Sequence, residues 1–166
     1  MTAPLDPAWA GFFATAASAS ATLVGLIIVA MSVNLQRILA FYQLPSRAAG
    51  GIGLLTLSLC ASIAVLMPQP TTALAVEILG FAALVWLVQI RTAQKMMTAP
   101  LSERRPAAEM LASISAAQIQ VLPFVVGGIE LLAGDAGGAY WVAGGVVATF
   151  AGSVFNAWVL LVEILR

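Results

Sequence analysis

The sequence predicts an all-α integral membrane protein, a helical bundle of five transmembrane helices in a single membrane domain over residues 1–166. Two observations carry this. Hydrophobic residues make up 61% of the chain and charged residues only 8%, whereas soluble domains average about 25% charged. A water-soluble fold of this composition would lack the polar surface to cover itself. The apolar residues also fall into runs near the roughly 20 residues that a helix needs to cross a hydrocarbon core of about 30 Å. A mean hydropathy of +1.02 agrees.

The first span covers about 9–34. No Lys or Arg precedes it, and it exceeds the roughly 7–15-residue apolar core of a signal peptide, so it reads as a retained helix. The second covers about 48–67 and stops at Pro68 and Pro70, because proline cannot continue a helix and restricts the residue before it. The third covers about 72–90. A loop over 91–107 follows, carrying Lys95, Glu103, Arg104 and Arg105 with two prolines. The fourth span covers about 108–133, the glycine-rich segment Gly134–Gly138 is a tight turn, and the fifth covers about 139–162.

Orientation follows from the bases. Under five spans, Arg37, Arg47, Arg91, Lys95, Arg104, Arg105 and Arg166 all fall on one side. By the positive-inside rule that side is the cytoplasm, with the N-terminus outside and the C-terminus in the cytoplasm.

Composition excludes several chemistries. The chain has no histidine, which removes His-ligated metal sites, bis-His haem and His-based triads. Cys60 is the single cysteine and can form no intrachain disulfide; the single lysine, Lys95, follows no glycine-rich loop. Zero net charge gives nucleic acid no electrostatic hold. The serines show no nucleophile–base arrangement. The expectation is a non-enzyme with no cofactor and no metal. An odd number of spans without a clear internal repeat also disfavours an active secondary transporter.

Polar residues inside a bilayer are the informative ones. On the fourth span Glu109, Ser113, Ala116, Gln120, Pro123, Gly127 and Glu130 recur at alternating spacings of four and three, forming one helical stripe. At about 1.5 Å per residue the stripe is about 31 Å long, close to the hydrocarbon thickness. It reads either as a path for an ion or small solute or as a close helix–helix interface. The first span has a face of Gly11, Ala14, Ser18, Ala21, Gly25, Val29, Ser32 and Gln36, suited to packing, with Ser18, Thr22 and Ser32 as the alternative pore lining. On the fifth, Gly145, Thr149, Gly152, Asn156 and Glu163 share a face, and Gln120 is a candidate partner for Asn156. The third, apolar all round apart from Glu77 and Gln89, suits the lipid-facing position. Asp6, Glu77, Glu130 and Asp135 gather on the outer side as an acidic mouth that would concentrate cations. Trp9, Tyr140 and Trp141 read as interfacial anchors.

The opening WAGFFATAASASATLVGLIIVAMSVNLQRIL, Trp9–Leu39, resembles the first helix of a widespread family of small uncharacterised bacterial multi-span proteins. The closing segment Tyr140–Arg166 resembles that family's last helix, with NAWVLLVEILR its most specific piece, and LPFVVGGIELLAG at Leu122–Gly134 extends the likeness. The resemblance implies a multi-pass protein of the bacterial inner membrane and brings no activity with it.

Together these readings predict a homo-oligomeric channel or passive pore for ions, cations preferred, built from three or more chains with closed cyclic symmetry. The alternative is an accessory transmembrane subunit that docks a larger membrane complex through its stripes and transports nothing. The expected partners are the lipid bilayer, other copies of the chain and, under the alternative, a membrane protein; nucleic acid is excluded.

Overall fold

The computed structural model describes residues 5–33, 35–36, 44–98 and 107–165. Among them it contains a 3-10 turn, Pro7–Trp9, and five helices: α1 (Ala10–Val33), α2 (Leu44–Leu66), α3 (Thr71–Met97), α4 (Ala107–Leu132) and α5 (Gly138–Leu165). All five are long and apolar enough to cross a membrane. Helices satisfy their own backbone hydrogen bonds, as hydrocarbon demands.

Two helices outrun their apolar stretches. α3 continues to Met97, about two turns past Ile90 and into the segment expected as loop. Arg91 and Lys95 follow the apolar run that ends at Ile90, but Ala, Gln, Lys and Met are good helix formers and carry the helix on. Lys95 also complements the helix dipole in the last turn. α2 begins at Leu44, before the expected Ala48, with Pro45 in the first turn, where a missing N–H costs nothing.

Each helix packs on the next, and α2 also packs on α5, so α2 to α5 close a four-helix ring. α1 lies outside the ring against α2 and makes only slight contact with α5. Its span is 11% buried, against 28% for α3 and 44% for α2. The most lipid-exposed helix is therefore α1, not α3. A uniformly apolar helix carries no facing information, because lipid tails and protein interior are equally apolar. α3 uses that freedom to bury Leu74, Ala75, Ile78, Ala82 and Val85.

The small-residue face of α1 is not a packing face within the chain. Gly11, Ala14, Ser18, Ala21, Thr22, Gly25, Val29, Ser32 and Gln36 are all exposed, and α1 meets the bundle through Phe13, Ala16 and Ser20. Small residues permit close approach but do not compel it. The hydroxyls on this face are satisfied locally: Ser18 Oγ donates to the Ala14 carbonyl, Thr22 Oγ1 to Ser18 and Ser32 Oγ to Ile28, at 3.1, 2.9 and 2.8 Å. Such self-bonded hydroxyls can face lipid without an unmet partner. One interhelical bond of α1 is buried: Ser20 Oγ donates to Ser58 Oγ at 3.1 Å.

The two ends of the ring differ. At the upper end, where α2 joins α3 and α4 joins α5, the turns are short. Gly134, at φ +87°, ends α4, with Asp135 N–H donating to Glu130 O at 2.9 Å and Gly134 N–H to Leu131 O at 3.1 Å. This reversal needs a left-handed residue, which glycine supplies. Below it the helices touch closely: a Cβ on Gly127 would lie 2.6 Å from the Gly138 carbonyl, and one on Gly145 would lie 2.7 Å from the Phe124 ring. Phe124, Val121, Leu131, Val142 and Val146 are fully buried around these contacts. At the lower end, where α3 and α5 finish and α2 and α4 begin, the ring opens around a cavity.

Candidate functional site

The cavity encloses about 460 Å³, within the roughly 300–1,000 Å³ of small-molecule sites. All four ring helices build it: Gly50, Gly51 and Leu54 from α2, the turns around Gln89 and Ala93 from α3, Ser113 to Gln120 from α4, and Gly152, Ser153 and Asn156 from α5. Apolar wall comes from Leu54, Ile90, Met97, Ile114 and Phe155.

Three carboxamides project among these helices, each set against a glycine of a neighbour. Gln89 Nε2 donates to the Gly50 carbonyl at 3.4 Å, and a Cβ on Gly50 would lie 3.2 Å from Gln89 Oε1. A Cβ on Gly51 would lie 3.0 Å from Asn156 Nδ2. A Cβ on Gly152 would collide with the Gln120 carboxamide. Glycine on one helix thus makes room for a polar side chain on the next, the close approach that small residues allow in membranes.

Gln120 is 8% exposed. Its Nε2 donates to the Ala116 carbonyl at 2.9 Å, which fixes which end of the amide is nitrogen, because a carbonyl can only accept. Oε1 therefore points the other way, and it is buried with no hydrogen-bond partner. Ser153 Oγ, on the next residue after Gly152, is likewise buried and unpartnered. An unmet buried polar group costs about 1–3 kcal/mol, and most buried polar groups are paired. Ser62 and Thr149 hydroxyls, deeper in the ring, are also without partners. Among the described residues, no charged side chain lines the cavity.

The stripe on α4 divides at Pro123. Below it Ser113, Ala116 and Gln120 face the cavity. Above it Gly127 is buried against α5, and the space is closed by backbone. The stripe is thus half cavity wall and half helix interface, and it does not run as an open path from end to end. Glu109 belongs to α4, but its side chain lies outside the described residues. Gln120 and Asn156 reach the same cavity, though each sits against a glycine of another helix.

The carboxylates expected to form an acidic mouth have local roles. Asp6 Oδ1 accepts the Ala8 N–H at 2.8 Å and caps the first turn. Asp135 Oδ1 accepts the Gly137 N–H at 2.7 Å in the α4–α5 turn. Glu77 Oε2 accepts from Gln69 Nε2 at 2.9 Å, and the same amide donates to the Ala64 carbonyl at 3.0 Å, tying the α2–α3 turn together. Glu130 is half-buried near the end of α4. Trp9 packs edge-on against Tyr140 at 4.7 Å, joining the start of α1 to the start of α5.

Sequence reasoning singled out Gln120, Ser113, Gly152 and Asn156 but not Gly50, Gly51 or Ser153. The paired glycines at the start of α2, one helix away from a glutamine in the last apolar turn of α3, were the available signal. Among the described residues no three His, Cys, Asp or Glu side chains group as a metal site would require. Compared with known proteins, the chain matches no family model, no curated protein and no solved structure.

Proposed function

We propose that this chain is a multi-pass protein of the bacterial inner membrane, lower end in the cytoplasm and N-terminus outside, which admits a small polar solute into the bilayer through its lower cavity. The role is pore-like. The observation that supports it is a cavity of about 460 Å³ at the lower end of the ring, lined by the polar residues Gln89, Gln120, Ser153 and Asn156. A cation preference draws less support, since the described wall carries no charge and Asp6, Glu77 and Asp135 hold turns and caps. Passage beyond Pro123 requires α4 and α5 to part, and Pro123 has no N–H to offer the Ile119 carbonyl, which leaves α4 easier to bend there.

The test is solute entry into proteoliposomes, followed by light scattering with glycerol and urea and by a potassium-sensitive dye. The expected result is protein-dependent entry of the neutral solutes, slowed at least several-fold by Gln120→Leu and unchanged by Glu130→Gln. Vesicles as tight to all three solutes as protein-free ones would overturn the reading. Faster potassium entry that falls in Glu130→Gln would return the cation channel to first place.

A second reading, association through α1 with other copies or with a larger complex, is favoured by the exposed face from Gly11 to Ser32. Native mass spectrometry in nanodiscs separates the cases. A single stoichiometry of three or more chains supports a homo-oligomer, and a monomer removes it.

A further inference from the structure

Above the lower cavity, α2 and α5 meet along a buried polar seam. We propose that this seam opens to water from the cavity and carries a polar solute up to the level of Phe124. The inference rests on the reading of the cavity as an entry and adds the route that leads on from it.

One contact and two helical stripes set the seam. A Cβ on Gly51 would lie 3.0 Å from Asn156 Nδ2, which fixes α2 against α5 at the cavity. Ser58 and Ser62 follow Gly51 by seven and eleven residues, and Thr149 and Ser153 precede Asn156 by seven and three, so each set lies on one face of its helix. α2 rises where α5 descends. Thr149 therefore comes level with Ser58, and Gly145 with Ser62, about 10 Å and about 16 Å above Gly51 at 1.5 Å per residue. Gly145 rests against the Phe124 ring, so the seam ends where α4 and α5 close. Ser58, Ser62 and Thr149 are 0% exposed and Ser153 is 4% exposed.

Hydroxyls elsewhere show what these forgo. On the outer surface Ser18, Thr22, Ser32 and Thr56 each donate to the carbonyl four residues back, an acceptor every helix offers. Ser62, Thr149 and Ser153 are buried without a partner, although buried polar groups are nearly always paired. Among the described residues, α2 and α5 also touch least of the four neighbouring pairs that close the ring. An interface that is sparsely packed, and whose hydroxyls gain hydrogen bonds on wetting, yields before its neighbours do. The upper α4–α5 interface gains nothing from water, since Phe124 packs on Gly145 there and Gly127 on Gly138.

The experiment uses the full chain in nanodiscs, a Cys60→Ser background and the hydrophilic reagent 2-aminoethyl methanethiosulfonate. Ser153→Cys, Thr149→Cys and Ser62→Cys should react at least tenfold faster than Ala61→Cys and Ala82→Cys, which are as deeply buried but lie off the seam. Rates should fall in that order, from the cavity inward. Thr149→Val nearly keeps the shape and removes the hydroxyl, so it should slow the reaction at Ser62→Cys at least fivefold. A purely structural Thr149 would leave that rate unchanged. Seam cysteines as inert as the controls, or Ser62→Cys reacting first, overturn the inference. If the cysteine chains do not assemble, hydrogen–deuterium exchange in the unmodified chain decides. Amides over 149–156 should then exchange at least tenfold faster than those over 121–128, and equal protection overturns the seam. A reactive seam in a protein whose vesicles stay tight sinks the transport reading alone, and solute entry with an inert seam sinks only this one.

Discussion

Gly152 on α5 and Gln120 on α4 occupy complementary space: the carboxamide of Gln120 fills the place where a side chain at position 152 would begin. The pair sits at the border between the packed upper ring and the open lower cavity. The glycine therefore sets where the amide rests.

Gly152→Ala should destabilise the fold by about 1–3 kcal/mol through overpacking, read by denaturant titration in micelles. Because the clash is with a flexible side chain, Gln120→Ala in the same chain should recover most of the loss. Additive losses in the double variant would show that the two residues do not share this space.

Gly127→Ala should cost more than Gly152→Ala, since its new Cβ meets the Gly138 carbonyl and the Val142 backbone, and backbone cannot rotate away. Gly25→Ala should have no cost and gain slightly from helix propensity, because nothing lies within 4 Å of its Cβ. Melting temperatures in one detergent order the three. A large loss in Gly25→Ala would mean that α1 packs against something outside the chain.

A double-mutant cycle on Ser20 and Ser58 should yield a coupling of about 0.6 kcal/mol, the usual worth of an interhelical hydrogen bond in a membrane. The Ser20–Ser58 bond ties α1, the least buried span, to the bundle, so loss of both hydroxyls should also make α1 the first segment cut by protease.

The positive-inside assignment predicts sidedness. In a Cys60→Ser background, Ala136→Cys in the α4–α5 turn should react with an impermeant maleimide on intact spheroplasts. Thr98→Cys, at the end of α3, should react only after the membrane is opened. The reverse pattern would invert the topology.

The five spans were legible in the sequence because bilayer thickness imposes one length on every crossing segment, and prolines and glycines mark the breaks. Facing was harder to read. In water, an apolar stripe points inward; in lipid, the face of Gly11, Ala14 and Ser18 and the face of Phe13, Ala16 and Ser20 are equally tolerable outside. Polarity remained a guide only where it was costly: Gln120 and Asn156 were recognisable because a carboxamide in hydrocarbon needs company. Gly50 and Gly51 were not, since a glycine reveals itself as the seat of an amide only when the neighbouring helix is in place. The division of the α4 stripe at Pro123 was equally hidden, because Gly127 and Ala116 look alike until α5 closes on one of them.

The ring closes through α2 and α5, helices separated in the chain by two full spans. Synthesis runs from α1 to α5, so the cavity has no fourth wall until the last helix has entered the membrane and docked. Until then Gln120 stands without Gly152, the residue against which its amide comes to rest. A chain interrupted before Gly138 would thus expose an amide, that of Gln120, which a finished one conceals, and completion of the protein is written into which of its polar groups the bilayer can still touch.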